Sequence, residues 1–225
     1  VLSKLEWQAL EAEVMETVEA ALKEARRRPA PDPTTIARFV VADESPDAPD
    51  ATLGGLTRAE RQALGGSDHP APDGPPLRFA EAVRRTLRRE LEVNPKLVVF
   101  GEDVGKKGGV HLVTEGLQRD FGQERVFDTS LSEEGIIGRA SGLAMSGLMP
   151  VAEIQFRKYA DPATEQLNNT GTMRWRTANR FAAPMVVRMP GGFGKDVGDP
   201  WHSLSDEVRF AHAYGWQVAI PSNAS

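Results

Sequence analysis

The 225-residue sequence contains no cysteine, which excludes disulfide bonds, thiolate catalysis and a cysteine-based zinc site. It has no apolar run near the roughly 20 residues that a transmembrane helix needs. Its first residues are acidic and amphipathic, unlike a signal peptide. The net charge of −5 gives no electrostatic case for nucleic-acid binding. These features predict a globular protein in the cytoplasm.

Composition divides the chain into three regions. Residues 1–28 combine a Ser3/Glu6 capping-box pattern with apolar residues at helical spacing, and arginines precede Pro29, so a helix is predicted. Residues 29–76 are rich in Pro, Asp, Gly and Ala, which predicts a linker that buries too little apolar area to order itself. Residues 77–225 form the folded body. Because the chain lacks an initial methionine and stops just after a strand-like run, we expect a fragment of a longer protein.

The folded body alternates helical and strand-like patterns. This alternation predicts an α/β fold with a mostly parallel sheet and helices on both of its faces. In such sheets ligands bind beyond the carboxyl ends of the strands. The predicted helices are 77–93, 133–149, 161–173 and 205–213, and the predicted strands are 97–100, 126–127, 151–156, 185–189 and 218–220.

Two pairs of acids follow predicted strands. Glu102 and Asp103 come directly after 97–100, and Glu133 and Glu134 begin the helix that follows 126–127. Acids in this position favour a ligand-binding or catalytic site, but each pair also has a purely structural interpretation. The first pair could lie in a solvated turn. The second could be ordinary acids that stabilise the start of a helix.

Two further segments carry candidate groups. Gln155 and Tyr159 could offer a polar group and an aromatic surface to a flat ring, or they could belong to an edge strand with an anchoring tyrosine. The glycine-rich stretch 191–203 ends near His202 and matches neither common phosphate-binding loop motif. Long loops are often functional, although flexible surface is the alternative.

The helix predicted at 133–149 is unusually rich in glycine. Each glycine in a helix interior costs about 1 kcal/mol relative to alanine, so several of them require compensation. Gly138 and Gly142 lie four residues apart and permit another backbone to approach closely. We therefore expect a buried helix at a tight helix–helix contact, between subunits of an assembly.

The order and spacing of several motifs resemble one family. The motifs GEDVG, RVFDT, LSE, EIQF, VVR and HS occur in the order found in the β subunit of the E1 component of thiamin diphosphate-dependent 2-oxo acid dehydrogenase complexes. The similarity covers about 77–225 and implies that family's thiamin diphosphate-binding fold, in its pyrimidine domain. Residues 1–28 resemble the last helix of the α subunit, which implies a junction of an α–β fusion.

The resemblance implies roles for five residues. Glu133 matches the catalytic glutamate that binds N1′ of the aminopyrimidine ring of thiamin diphosphate. Tyr159 matches an aromatic residue packed against that ring, and Gln155 and Glu102 match residues near the cofactor. His202 matches a histidine linked to reductive acylation of lipoyl groups, as a proton donor or an orienting group. No metal ligand is assigned, because the Mg²⁺ site belongs to the missing diphosphate-binding half.

The resemblance also implies partners: a diphosphate-binding, α-like E1 half and a lipoyl-bearing E2 acyltransferase, in a homodimer or an α2β2-like assembly. Ser130 and Leu204 depart from the family's usual proline and glutamine. The resemblance favours branched-chain 2-oxo acids over pyruvate as the substrate. Two alternatives remain, a transketolase-like or deoxyxylulose-phosphate synthase-like thiamin enzyme and a non-catalytic α/β assembly module.

Overall fold

A computed structural model describes residues 2–40, 52–53, 55–65, 75–193 and 198–221. The chain divides into two compact units, Val1–Arg38 and Phe39–Ser225. Within these described ranges no helix is both long enough and apolar enough to cross a membrane.

The first unit consists mainly of the predicted helix. Helix α1, Lys4–Arg27, begins after Ser3, whose hydroxyl accepts the N–H of Glu6, while the N–H of Ser3 donates to the Glu6 carboxylate at 2.7 Å. This reciprocal capping box satisfies two N–H groups that have no partner inside the helix. None of the residues of α1 is buried. A short 3-10 turn, Pro33–Thr35, follows and is capped by Asp32.

The second unit begins with short elements where the sequence predicted a linker without regular structure. Strands β1, Thr52–Leu53, and β2, Leu56–Thr57, form an antiparallel hairpin. Helix α2, Arg58–Ala63, follows directly. Leu56 is buried and Arg61 forms a bidentate ion pair with Glu90, so this stretch packs on the folded body. The limits of the linker, 29–76, stay a prediction.

The body of the second unit contains a four-stranded, fully parallel sheet. Its strands are β3, Leu97–Gly101; β4, Val126–Asp128; β5, Met149–Glu153; and β6, Val186–Arg188, in the order β4-β3-β5-β6. The predicted α/β fold with a mostly parallel sheet is therefore confirmed.

Helices cover both faces of this sheet. Residues of β3 alternate between the two faces, as strand geometry requires. Leu97 and Val99 pack with residues of the helices at Phe79–Val93 and Leu117–Phe121, whereas Val98 and Phe100 pack with residues of the helix at Glu133–Met145. The helices are α3, Phe79–Val93; α4, Leu117–Phe121; α5, Glu133–Met145; α6, Thr164–Gly171; α7, Met173–Arg176; and α8, Val208–Ala211, with 3-10 segments at Val110–Leu112 and Arg157–Ala163.

One predicted strand is wrong. Residues 218–220 form no strand, and among the described residues they pair with no neighbour in the sheet. Val218 and Ile220 are exposed. A strand depends on hydrogen bonds from a neighbouring strand and on burial of its side chains, and neither is present here. The apolar run at 218–220 predicted a strand, but an apolar run forms a strand only where a neighbouring strand pairs with it.

Candidate active site

The four parallel strands end at one edge of the sheet, where polar groups gather. In register, Gly101 at the end of β3 lies opposite Asp128 on one side and Glu153 on the other, and Arg188 ends β6 beside Glu153. Asp128 accepts the N–H of Gly105 at 2.6 Å. The loop that leaves β3 is therefore held against the end of β4.

A buried ion pair holds the same loop against the end of β5. The side chain of Glu153 is 1% exposed and pairs with the guanidinium of Arg188. Its other carboxylate oxygen accepts the N–H of Val110 at 3.2 Å. A buried carboxylate is stable only when it is paired and hydrogen-bonded, and both conditions hold. Glu153 therefore organises the edge and is not free to bind a ligand.

The carboxyl of Glu102 lies within electrostatic range of two other carboxyls at this edge, those of Asp103 and Glu133. Burial, Asp103 and Glu133 together raise the pKa of Glu102, with burial the largest cause. Lys107 lies 2.9 Å from Asp103 and partly offsets this effect. Glu133 is the first residue of α5 and is half-buried, whereas Glu134 is exposed. The structure thus brings the two predicted acids, Glu102 and Glu133, to the same place.

Gln155 approaches this carboxyl cluster from the segment after β5. Its side-chain amide donates to Asp103 at 3.5 Å, the long limit of a hydrogen bond. Asp103 has a backbone φ of 59°, a conformation that non-glycine residues rarely adopt. Backbone strain of this kind persists only where the surroundings impose it, and such residues concentrate at functional sites.

Tyr159 and His202 form a second group. The Tyr159 hydroxyl lies 2.9 Å from Nε2 of His202, and Nδ1 of His202 lies 2.8 Å from the Asp199 carboxylate. The ring of Phe156 contacts both, with centroids 5.7 Å from Tyr159 and 4.8 Å from His202. Tyr159 is half-buried and His202 is exposed.

The five predicted residues therefore fall into two neighbouring groups. Glu102 interacts electrostatically with Glu133 and Asp103, and Gln155 contacts Asp103, while Tyr159 pairs with His202. The segment 155–159 joins the groups along the chain, but among the described residues no hydrogen bond connects Glu133 with Tyr159. Within the same ranges no three His, Asp or Glu side chains group as metal ligands would.

A cleft of about 790 Å³ lies elsewhere on the second unit, and the predicted residues do not line it. It opens between α3 and α4 and is lined by basic side chains, including Arg84, Arg88, Lys106 and Arg119. All three of these arginines already pair with acids, Arg84 with Glu115 and both Arg88 and Arg119 with Asp120. The chemistry of the predicted residues points to the sheet edge instead.

Sequence reasoning missed two residues that matter at this edge. Arg188 ends a strand, and nothing in the pattern showed that a buried acid on the neighbouring strand needs a cation. Asp199 precedes His202 by three residues in the run Asp-Pro-Trp-His. Asp followed by Pro is typical of a turn, and that signal could have identified Asp199 as the residue that organises the turn around the histidine.

Comparison with known proteins agrees with this architecture. The family model described as transketolase, pyrimidine binding domain, matches residues 76–225. A 2-oxoisovalerate dehydrogenase subunit beta of Pseudomonas aeruginosa is 46% identical over 148 residues, covering 65% of this chain and 42% of that protein. A pyruvate dehydrogenase E1 component subunit beta of Leifsonia xyli is 42% identical over 154 residues, covering 68% of this chain and 45% of that protein.

A 2-oxoisovalerate dehydrogenase subunit beta of Bacillus subtilis is 40% identical over 147 residues, which cover 65% of this chain and 45% of that protein. The chain thus spans less than half the length of these curated relatives. The matched region coincides with the parallel sheet, its helices and the polar edge. On these grounds the chain belongs to the transketolase pyrimidine-binding domain family.

Proposed function

We propose that this chain supplies the pyrimidine-binding half of the E1 component of a 2-oxo acid dehydrogenase complex. The proposed reaction is the oxidative decarboxylation of a 2-oxo acid, with acyl transfer to the lipoyl group of an E2 acyltransferase. The half-buried Glu133, in the first turn of α5 and close to Glu102, is the observation that carries the proposal. The names of the relatives favour 2-oxoisovalerate, a branched-chain substrate, with pyruvate next.

The groups at the sheet edge fit an aminopyrimidine ring. The raised pKa of Glu102 indicates that its carboxyl and that of Glu133 repel each other. This repulsion is reduced when a ring nitrogen forms a hydrogen bond to one of the two carboxyls. In this proposal Glu133 binds N1′, Glu102 and Gln155 support it, and Tyr159 provides an aromatic surface for the ring. Thiamin diphosphate, when bound, supplies the electron sink for decarboxylation.

The remaining contributions come from the residues of this chain. Glu133 holds a proton in hydrogen bonding with the ring nitrogen, so the carboxyl acts as a general acid–base group. His202 serves the acyl-transfer step at the exposed side of Tyr159. Mg²⁺ and the diphosphate are held by the α-like half.

Glu133→Gln in the assembled full-length enzyme tests the proposal. Because the amide cannot exchange a proton with the ring nitrogen, decarboxylation should fall by at least about 100-fold. Turnover is measured with 2-oxoisovalerate, pyruvate and 2-oxoglutarate, and assembly by size-exclusion chromatography. Assembly should be unchanged.

Glu134→Gln is the matched control. It removes the same charge one residue later, from an exposed side chain on the same helix. Its turnover should stay within about twofold of the unmodified enzyme, because an exposed acid contributes little. Near-normal turnover of the Glu133→Gln enzyme would refute the assignment of Glu133.

A further inference from the structure

The segment that carries His202 is anchored directly after the histidine. Ser203 is buried, its N–H donates to the carbonyl of Asp199 at 3.0 Å, and its hydroxyl accepts the N–H of Asp199 at 3.2 Å. Further along, Asp206 forms a bidentate pair with Arg157, whose side chain is 3% exposed. The backbone of His202 is therefore held in place by contacts that do not involve its ring.

The two oxygens of the Asp199 carboxylate have different partners. Oδ1 accepts the backbone N–H groups of Trp201 at 2.8 Å and of His202 at 2.9 Å, which forms a turn closed by the side chain. Oδ2 lies 2.8 Å from Nδ1 of the His202 ring. Because the turn fixes Oδ1, the carboxylate presents Oδ2 to the ring in a defined orientation.

The charge on Asp199 decides which ring nitrogen carries the proton. Hydrogen bonds from the backbone and side chain of His202, and from the backbone of Trp201, hold the pKa of Asp199 below its usual value. An ionised carboxylate only accepts hydrogen bonds, so Nδ1 must donate. In the neutral ring Nε2 is then bare, and it accepts the hydroxyl proton of Tyr159, 2.9 Å away.

We propose that Asp199 is a positioning residue that fixes neutral His202 in the Nδ1–H tautomer, which makes Nε2 the one ring nitrogen that takes up and releases a proton. The importance of this tautomer for catalysis rests on the proposed function, in which His202 serves acyl transfer. The tautomer itself follows from the hydrogen bonds of Asp199 and Tyr159. The side chains of Asp199 and His202 are half-exposed, so their pairing contributes little to stability.

Asp199→Asn tests the inference by nuclear magnetic resonance. The asparagine oxygen still accepts the two backbone N–H groups, but the second atom becomes an NH₂ donor that faces Nδ1. The expected result is an exchange of tautomers, from Nδ1–H in the unmodified chain to predominantly Nε2–H in the variant. The ¹⁵N shifts of the ring nitrogens are measured in the full chain labelled with [¹⁵N]histidine, about two pH units above the ordinary histidine pKa of about 6.5.

Three further variants show that the measured ¹⁵N shifts report the tautomer of His202. His202→Gln assigns the signals, since the sequence contains four histidines. Glu207→Gln removes the same charge from the same segment and should leave the tautomer unchanged. Tyr159→Phe should also keep Nδ1–H, while the shift of Nε2 alone changes as its donor is lost. An Nε2–H tautomer in the unmodified chain, or an unchanged tautomer in Asp199→Asn, would overturn the inference.

The assembled enzyme separates this inference from the proposed function. Asp199→Asn should slow acyl transfer to the lipoyl group at least about tenfold, because a wrongly protonated ring cannot serve as the acid–base group. Decarboxylation assayed with an artificial electron acceptor should fall by a smaller factor than acyl transfer does. A tautomer exchange without any loss of acyl transfer would support positioning by Asp199 and count against the role of His202.

Discussion

Two acids at the ends of neighbouring strands have opposite environments. Glu153 is buried but neutralised by Arg188 and by the N–H of Val110, so its charge is compensated. Burial of Glu102, together with the nearby charges of Asp103 and Glu133, raises its pKa, so its ionised form is disfavoured. The edge of the sheet therefore contains one acid that stabilises the loop and another that is destabilising when ionised.

The raised pKa of Glu102 predicts how stability depends on pH. An acid whose pKa is higher in the folded state binds more protons there than in the unfolded state, so stability is highest below the unfolded pKa and falls as pH rises through the folded value. Glu102→Gln removes this loss. We expect the variant to be more stable than the unmodified chain at pH 7, with the difference shrinking towards pH 4, as measured by urea unfolding.

Glu115→Gln serves as the control for this measurement. Glu115 forms an exposed ion pair with Arg84, and its side chain is 59% exposed. Removing an exposed pair changes stability by less than about 1 kcal/mol. A gain for Glu102→Gln that is equally large at pH 7 and pH 4 would contradict the role of ionisation.

Sequence predicted the acids of the site better than their partners. Glu102 and Glu133 were identified because both follow strands of a predicted parallel sheet, whose ends share one edge. Glu133 is among the causes that raise the pKa of Glu102, which indicates that the two carboxyls lie within electrostatic range of each other. Arg188 and Asp199 were missed, because ion pairing and turn formation depend on which segments meet in three dimensions. The roles of all five predicted residues stay predictions.

Glycines have different physical roles in the helix α5 and in the loop after β3. Gly142 lies in α5, and apart from its chain neighbours and the nearby backbone of its own helix, no atom of the described residues lies within 4 Å of where its Cβ would be. Gly109 has φ of +69°, and a Cβ there would lie 2.8 Å from the Thr114 hydroxyl. Within this chain the tight contact expected at Gly138 and Gly142 is therefore not formed by the described residues, whereas the loop does require its glycine.

The pair Gly142→Ala and Gly109→Ala should change stability in opposite directions. Alanine in α5 should raise the free energy of unfolding by about 1 kcal/mol, because it restricts the unfolded chain and favours the helix. Alanine at position 109 should lower it by roughly 1–3 kcal/mol, because an L residue is strained there and its Cβ is crowded. Urea unfolding of the two variants provides the comparison, and a change of the same sign in both would contradict it.

Helices were predicted better than the strand near the end of the chain. Helix α3 was predicted at 77–93 and lies at Phe79–Val93, because its apolar spacing alone indicates which face is buried. The helix predicted at 161–173 is instead divided: a 3-10 segment ends at Ala163, and α6 begins at Thr164. Pro162 explains the division, because proline disrupts the hydrogen bonds of an α-helix interior. The strand at 218–220 would depend on a neighbour that local sequence does not specify.

In the proposed function, the whole chain offers one side of a ligand site. Four of the five candidate residues lie just after β3, at the start of α5 and on the segment after β5: Glu102, Glu133, Gln155 and Tyr159. All of them are assigned to the ring portion of the cofactor in the proposed function. The diphosphate portion and its Mg²⁺ are assigned to a separate α-like half. Because the ring and the diphosphate are assigned to different halves, the affinity of the chain alone for the cofactor tests the proposal.

The chain alone should bind thiamin diphosphate at least about 100-fold more weakly than the assembled E1 enzyme does, a difference of about 2.8 kcal/mol. Because its contacts are with the ring, the chain should bind thiamin and thiamin diphosphate with similar affinity, whereas the assembled enzyme should strongly prefer the diphosphate. Titration calorimetry with Mg²⁺ present measures all four affinities. If the chain alone matched the assembled enzyme, or itself discriminated strongly in favour of the diphosphate, the separate diphosphate-binding half would not be needed.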